Sequence, residues 1–511
     1  MDHPAQENSG RCIGGALAWS GNYKLSFEVD ERDYLSLLAG INPFMSAYTL
    51  DKGGRFETPK FLFTYSADGR GTVSRNFHDW ARRYGLHAGT KERPILLNSW
   101  EGAYFDFDEQ VLTNMMDDAA ELGVELFVLD DGWFGNKYPR NSAAMGLGDW
   151  QVNEKKLPRG IQHLIDHATS KGLKFGIWIE PEMVNPKSEL AERHPEWIVQ
   201  SPGREQITMR NQLLLDLTNP DVQEFVWNVV DKLLSAYPDI YYIKWDANRH
   251  VEQVGSPHLS SGEQMHFWVD YIRGLYRVYD RIRAKYPDVM LQACASGGGR
   301  VDYGSLPYHD EFWTSDNTDA LQRVYMQYAT NLIYPPVATA SHVSASPGHQ
   351  TGSITPLKFR FDVAMSGRLG LELQPKDIPA GEMAFAREAI ANYKTHIREL
   401  VTKGDLYRLI SPYECTNNHA ANMLVRKDKS KAVLFAYCTG FNRRGIRPTV
   451  HLHGLDASKR YRITEINKTG KRKAFWGERH IYDGAYLRQV GIELQIARQY
   501  DSAVFLLEEV K

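Results

Sequence analysis

The chain has 511 residues, 42% apolar and 24% charged, too long for one compact core and too apolar for a disordered segment. Its 60 Lys and Arg against 63 Asp and Glu leave a net charge of −3, without the basic excess of a general nucleic-acid binder. No run of 18 apolar residues suggests a membrane span, the opening MDHPAQENSGRC has no apolar signal core, and a cytoplasmic setting is expected. Cys12, Cys294, Cys415 and Cys438 lie far apart without CxxC spacing, as expected of unpaired thiols in a reducing compartment. Aromatic residues reach 12%, and such rings serve flat apolar ligand faces as well as cores.

In chain order, residues 1–90 hold alternating segments such as KLSFEVD and KFLFTYS, then a helix-like VSRNFHDWARRYG. Between about 95 and 345 an apolar run ending in polar residues alternates with a helical pattern. The runs are ILLNSWE (95–101), LFVLDDGW (126–133), FGIWIEPE (175–182), LLLDLT (213–218), YIKWDANR (242–249), VMLQACASG (289–297), EFWTSD (311–316) and VATASHVSA (337–345). Near-continuous apolar runs are the mark of buried parallel strands. Start signals separate them: Asn219-Pro220-Asp221 reads as a cap, a first-turn proline and a first-turn acid, and Ser261 with Gln264 as a capping box. In ALQRVYMQYATNLI, Leu321, Val324, Tyr325, Tyr328 and Leu332 share one helix face. The fold expected is α/β, a (β/α)8 TIM barrel over 91–402. A doubly wound sheet would show a Gly-rich phosphate turn after its first strand, and none is seen. Beyond 403, short alternating runs such as AVLFAYC, RYRITEI and SAVFLLEE suggest an antiparallel β-sandwich.

Catalytic groups of such barrels gather at the C-terminal ends of the strands. The predicted ends carry Glu101, Asp130, Asp131, Glu180, Glu182, Asp216, Asp246 and Asp316, with Trp100, Trp133, Trp178, Trp245 and Trp313 in the same places. A lone strand-end Asp more often caps the next helix, as Asp216 is expected to do before Asn219. The combination fits a sugar, whose hydroxyls need carboxylates and whose C–H faces need aromatic rings. Glycoside cleavage requires one ionised and one protonated carboxyl. Asp246, with Lys244 and Arg249 in its motif, suits the ionised role, and Asp316, with Asp319 nearby, the protonated one. Asp130, Asp131, Glu180 and Glu182 also have the composition of a magnesium site. Lys244, Arg210 and the tryptophans favour a neutral, hydroxyl-rich ligand instead, so no metal and no cofactor is expected. A sugar-binding protein without catalysis is the rival from another class.

DDGWFG (130–135), GIWIEPEMVNP (176–186), KWDANR (244–249), CASGGGR (294–300) and FWTSDNTD (312–319) occur in this order. Together they resemble the α-galactosidases of glycoside hydrolase family 36, from about Gly14 to the end of the chain. The resemblance implies a retaining hydrolase of terminal α-galactosides of the melibiose and raffinose type, with Asp246 as nucleophile and Asp316 as acid/base. It further implies that Asp130 and Asp131 hold the galactose 4- and 6-hydroxyls, and that Trp100, Trp178 and Trp313 line the subsite. Arg210, Lys244 and Asn248 would meet ring hydroxyls or the nucleophile, Cys294 and Gly297 would lie near the 2-hydroxyl, and His342 and His349, matching the family's eighth-strand region, would be structural. The alternatives are a galactosyltransferase of the raffinose- or stachyose-synthase kind, whose members depart from the KWDxNR pattern, and an inactive galactose-binding relative. Expected partners are α-galactoside oligosaccharides, with neither nucleic acid nor membrane. Family members often form homo-tetramers in which a large N-terminal sandwich reaches a neighbour's active site. Here only about 90 residues precede the barrel, a remnant of that sandwich, where the family usually carries well over 200.

Overall fold

The structure, a computed structural model, describes residues 6–414, 418–441, 445–470 and 473–510; Cys415 lies outside them. Cys12 and Cys294 carry free thiols. Near the N-terminus, Cys12–Leu17 pairs antiparallel with Phe61–Ser66, and Tyr23–Val29 with Leu35–Ile41. The helix Arg70–Trp80 then leads to the barrel.

Among the described residues eight parallel strands close into a barrel: Leu96–Asn98, Leu126–Leu129, Lys174–Ile179, Ile240–Trp245, Met290–Ala293, Glu311–Trp313, Thr339–Ser344 and Arg368–Glu372. They neighbour one another in chain order, each strand returning beside the last through a crossover, as parallel pairing requires. Seven match the predicted runs. LLLDLT does not: Leu213–Leu214 pairs antiparallel with Met183–Val184, a two-stranded ribbon inside the excursion that follows the third strand. The eighth strand is Arg368–Glu372, RLGLE. It escaped the search for apolar runs because it begins with Arg and ends with Glu, both turned into the barrel. His342, expected near the eighth strand, therefore lies on the seventh.

The pleat sends alternate side chains inward and outward. Leu96, Leu126, Val128, Tyr242 and Met290 fill the barrel interior, while Leu97, Phe127, Leu129, Ile177, Ile243 and Trp245 join the larger core beneath the helices. The helix Pro220–Ala236 starts as expected, Asn219 accepting from the Asp221 amide at 2.9 Å. Ser261 caps nothing: the helix Phe267–Lys285 is entered through the turn Gln264–His266, and the Gln264 amide bonds Ser256 and Leu259 instead. On Ala320–Thr330 the buried side chains are Ala320, Arg323, Val324 and Gln327, a stripe more polar than the apolar spacing suggested, and Leu332 is exposed.

The C-terminal region is a six-stranded antiparallel sheet with Lys431–Cys438 and Ser502–Glu509 at its centre, accompanied by the two-stranded sheet Thr449–Val450 with Ile492–Glu493. One face packs on the barrel through Leu424, Val433, Phe435, Tyr437 and Leu506. The other, with Met423, Leu434 and Phe505, is covered by Val450, Leu452, Ile492 and Leu494. Among the described residues no helix is long and apolar enough to cross a membrane.

Candidate active site

A cavity of about 240 Å³ opens at the C-terminal mouth of the barrel. On the fourth strand the pleat points Tyr242 and Lys244 inward and Trp245 outward, and Asp246, one residue past the strand, returns to the mouth. Trp100, Asp130, Asp131, Trp178, Arg210, Lys244, Asp246, Asn248, Trp313 and Asp316 all line this cavity. Cys294 and Gly297 lie behind its wall. Cys294 is buried against Trp313 and Ala340, and Gly297 bridges the backbone of Ser315.

Donors converge on three of the carboxylates. Asp246 accepts from Trp178 Nε1 at 3.1 Å, Asn248 Nδ2 at 2.8 Å and the Ala247 amide at 2.9 Å. Asn248 is itself held by Arg210, whose Nη1 donates to its Oδ1 at 2.9 Å. Asp130 accepts from Asn98 and from Lys244 Nζ at 2.7 and 2.8 Å. Asp131 meets a forked Arg140, Nε and Nη2 donating at 2.9 and 2.8 Å, the bidentate arrangement that fixes both groups. Burial nevertheless pushes the Asp131 carboxyl up against the pull of Arg140.

Asp316 differs. Burial, and next the charge of Asp246, raise its carboxyl to about 6. The direction matches the sequence reading but the cause does not. Asp319 turns away to cap the helix Ala320–Thr330, accepting from the Gln322 amide at 3.0 Å. Sequence proximity misled for Asp246 as well: Lys244 is spent on Asp130, and Arg249 donates to the carbonyls of Gln212 and Ile207. The donors of Asp246 are instead Trp178 from the third strand and, just past Asp246 itself, the Ala247 amide and Asn248.

The tryptophans divide. Trp100, Trp178 and Trp313 form wall. Trp245 donates to Glu182, and Trp133 to the Trp178 carbonyl, both from outside the cavity. Asp216 serves the local turn, accepting from the amide and hydroxyl of Thr218. The acids with the composition of a magnesium site are otherwise engaged: Glu180 accepts from Gln212 and the Asn248 amide, and Glu182 from Arg300. Among the described residues no group of three His, Cys, Asp or Glu is arranged to hold a metal ion.

Sequence reasoning missed Tyr104, Phe105, Arg140, Gln212, Gln350 and Glu372 in the lining, and left Glu101 without a role. Glu372 ends the unrecognised eighth strand, where His342 Nδ1 meets it at 2.8 Å. Burial raises Glu101 and Glu372 to about 7 and Glu180 to about 8. Arg140 and Gln350 stand in loops without a motif, and only the fold brings them in. His349 meets the Tyr104 hydroxyl at the rim. Tyr104, Arg210, Asn211 and Ser296 hold positive φ values of 47–59°, a conformation costly for residues with a side chain and concentrated at functional sites.

The sequence matches the Melibiase family over residues 55–404, the glycosyl hydrolase family 36 C-terminal domain over 419–507 and the family's N-terminal domain over 1–51. Alpha-galactosidase AgaA of Geobacillus stearothermophilus is 40% identical over 486 residues, 94% of this chain and 65% of the relative. Alpha-galactosidase C of Emericella nidulans is 39% identical, covering 99% and 66%. The chain therefore spans just under two thirds of the length of these relatives. The crystal structure of AgaA superposes with a TM-score of 0.92 over 99% of this chain and 68% of its own, and that of the Lactobacillus brevis α-galactosidase with 0.94, at 32% identity, over 99% and 67%. With its barrel and both flanking regions matched in order, the chain belongs to glycoside hydrolase family 36.

Proposed function

We propose that the protein is a retaining α-galactosidase that releases terminal α-galactosyl groups from melibiose- and raffinose-type oligosaccharides. The observation that carries this reading is the asymmetry of two carboxyls in one cleft. Asp246 is surrounded by three donors, and Asp316 keeps its proton up to about pH 6. In the first step Asp246 attacks the anomeric carbon, the glycosidic C–O bond breaks, and Asp316 gives its proton to the departing oxygen. In the second, Asp316 takes a proton from water, whose oxygen replaces Asp246 at the anomeric carbon.

Asp130 and Asp131 would accept the 4- and 6-hydroxyls, Lys244 and Arg210 would donate to ring oxygens, and Trp100, Trp178 and Trp313 would meet C–H faces. Cys294 and Gly297 would act from behind the wall near the 2-hydroxyl. Structures of AgaA variants with raffinose and with stachyose support oligosaccharide substrates. The deciding assay is release of nitrophenol from p-nitrophenyl α-galactoside, followed by the anomeric configuration of the first-formed galactose. Release with the α-anomer formed first is expected; no release, or β-galactose first, overturns the reading.

A further inference from the structure

Asp316 stands in a loop, and a loop carboxyl that gives and takes a proton at one oxygen needs its backbone held to a fraction of an ångström. Three contacts hold it. From beneath, Arg323 donates through Nη2 to the carbonyl of Ser315 at 2.6 Å and through Nε to that of Asn317 at 2.8 Å, the residues on either side of Asp316. Its Nη1 reaches Ala340 on the seventh strand at 3.3 Å. From above, Gln350 Nε2 donates to the carbonyl of Asp316 itself. From the side, Gly297 approaches so closely that a Cβ there would lie 2.5 Å from Ser315 Cα. The Arg323 guanidinium also lies 4.2 Å from the centre of the Trp313 ring, so cleft wall and Asp316 segment rest on one support.

No ion pair explains this arginine, whose hydrogen bonds all go to backbone carbonyls around Asp316 and on the seventh strand. It is 2% exposed, and among the described residues no carboxylate forms an ion pair with it. Burial lowers it to about 10, so it stays charged at neutral pH. A buried cation without a counter-ion costs free energy that an apolar side chain of similar volume would not. The acids whose charge it feels, Glu372, Asp316 and Glu101, all line the cleft.

We propose that Arg323 and Gln350 are positioning residues for proton transfer at Asp316, clamping its backbone so that the carboxyl faces the departing oxygen. The proposal rests on Asp316 being the acid/base. Its test compares kcat/KM for melibiose, whose leaving oxygen needs a proton, with that for 2,4-dinitrophenyl α-galactoside, whose phenolate leaves unaided. For melibiose, Arg323→Met is expected to lose about 10²-fold and Gln350→Ala roughly tenfold, while both stay within a few-fold of wild type on the activated substrate. Arg323→Lys, which keeps the charge but cannot span both carbonyls, falls between. Melting temperatures identify folded variants; should Arg323→Met not fold, Arg323→Lys and the exposed Gln350→Ala carry the test. Equal losses on both substrates, or no loss on melibiose, overturn the clamp. Asp316→Asn is the reference. If it too lacks leaving-group dependence, the acid/base assignment falls and the clamp with it; if it alone shows the dependence, only the clamp falls.

Discussion

The barrel holds two buried charge clusters, one at each end. At the N-terminal end Glu311 takes Arg368 through Nε at 2.6 Å and again through Nη2, together with the Tyr242 hydroxyl and the Gln292 amide, each at 2.9 Å. Both carboxylate oxygens of this acid are spent on protein donors. At the C-terminal end Glu101, Asp130, Asp131, Asp246, Asp316 and Glu372 face the cleft with Arg140, Arg210 and Lys244. Acids outnumber cations there, and one oxygen of Glu101 is buried without a partner. In the first cluster both oxygens of the acid are paired and its charge is matched by Arg368, although Nη1 of that arginine is buried without a partner, which suits a structural role. The second leaves hydrogen-bonding capacity unspent and stores protons, which is what a hydroxyl-rich ligand and acid–base chemistry require.

Three experiments would break or sharpen that contrast. The largest effect is expected for Asp246→Ala, a loss of activity on the order of 10⁴-fold or more on p-nitrophenyl α-galactoside with the melting temperature little changed. Near-normal turnover would remove the nucleophile from the C-terminal cluster. Glu311→Gln should do the reverse: it strands Arg368 and costs about 3–5 kcal/mol of stability, read from urea unfolding, with kcat kept in the protein that remains folded. A loss of kcat without destabilisation would make the two ends alike.

The smallest effects are those of pH. In the proposed mechanism Asp316 carries its proton in the first step, so kcat/KM should fall as pH rises through about 6. Stability should follow the same sign. Asp316, Glu101, Glu372 and Glu180 are raised by folding to about 6, 7, 7 and 8. Their contribution is fully present below the unfolded carboxyl range and is lost as pH rises through 6–8. Melting temperature should therefore decline from pH 6 to 8, and Glu180→Gln should flatten the slope. A flat wild-type profile would show that the cleft acids are not proton stores.

Much of this was legible in sequence because parallel barrel strands must be apolar on both faces and active-site groups must follow their ends. LFVLDD and YIKWD carry both messages in a few residues. RLGLE carries neither, since Arg368 and Glu372 point inward to the two charge clusters and leave no apolar run. LLLDLT failed the other way: two leucines of a ribbon within a loop excursion imitate a buried strand. For the acids, position along the chain found the residues and, for Asp246, the partner Asn248, but not the cations, which pair elsewhere. Asp319 and Arg249 lie beyond the strand ends, where Asp319 caps the next helix and Arg249 bonds loop carbonyls. Arg323 was hidden because a helix face is read from its apolar residues, and here the buried stripe is partly polar.

The strand Lys431–Cys438 is buried nearly along its whole length because its two faces belong to different cores. Val433, Phe435 and Tyr437 pack with the barrel, and Ala432, Leu434 and Ala436 with the outer layer. The Tyr437 hydroxyl reaches the Asp362 carbonyl, while Ser502 and Asn467 bond the carboxylate of the same residue on the helix Leu357–Ala364. The change of architecture near residue 403 is thus not a seam. Cutting there would strip the barrel of one flank and take the Ser502 and Asn467 donors from the Asp362 carboxylate, leaving it only Lys358 of its own helix, so the distal sheet completes a polar contact that the barrel cannot complete alone.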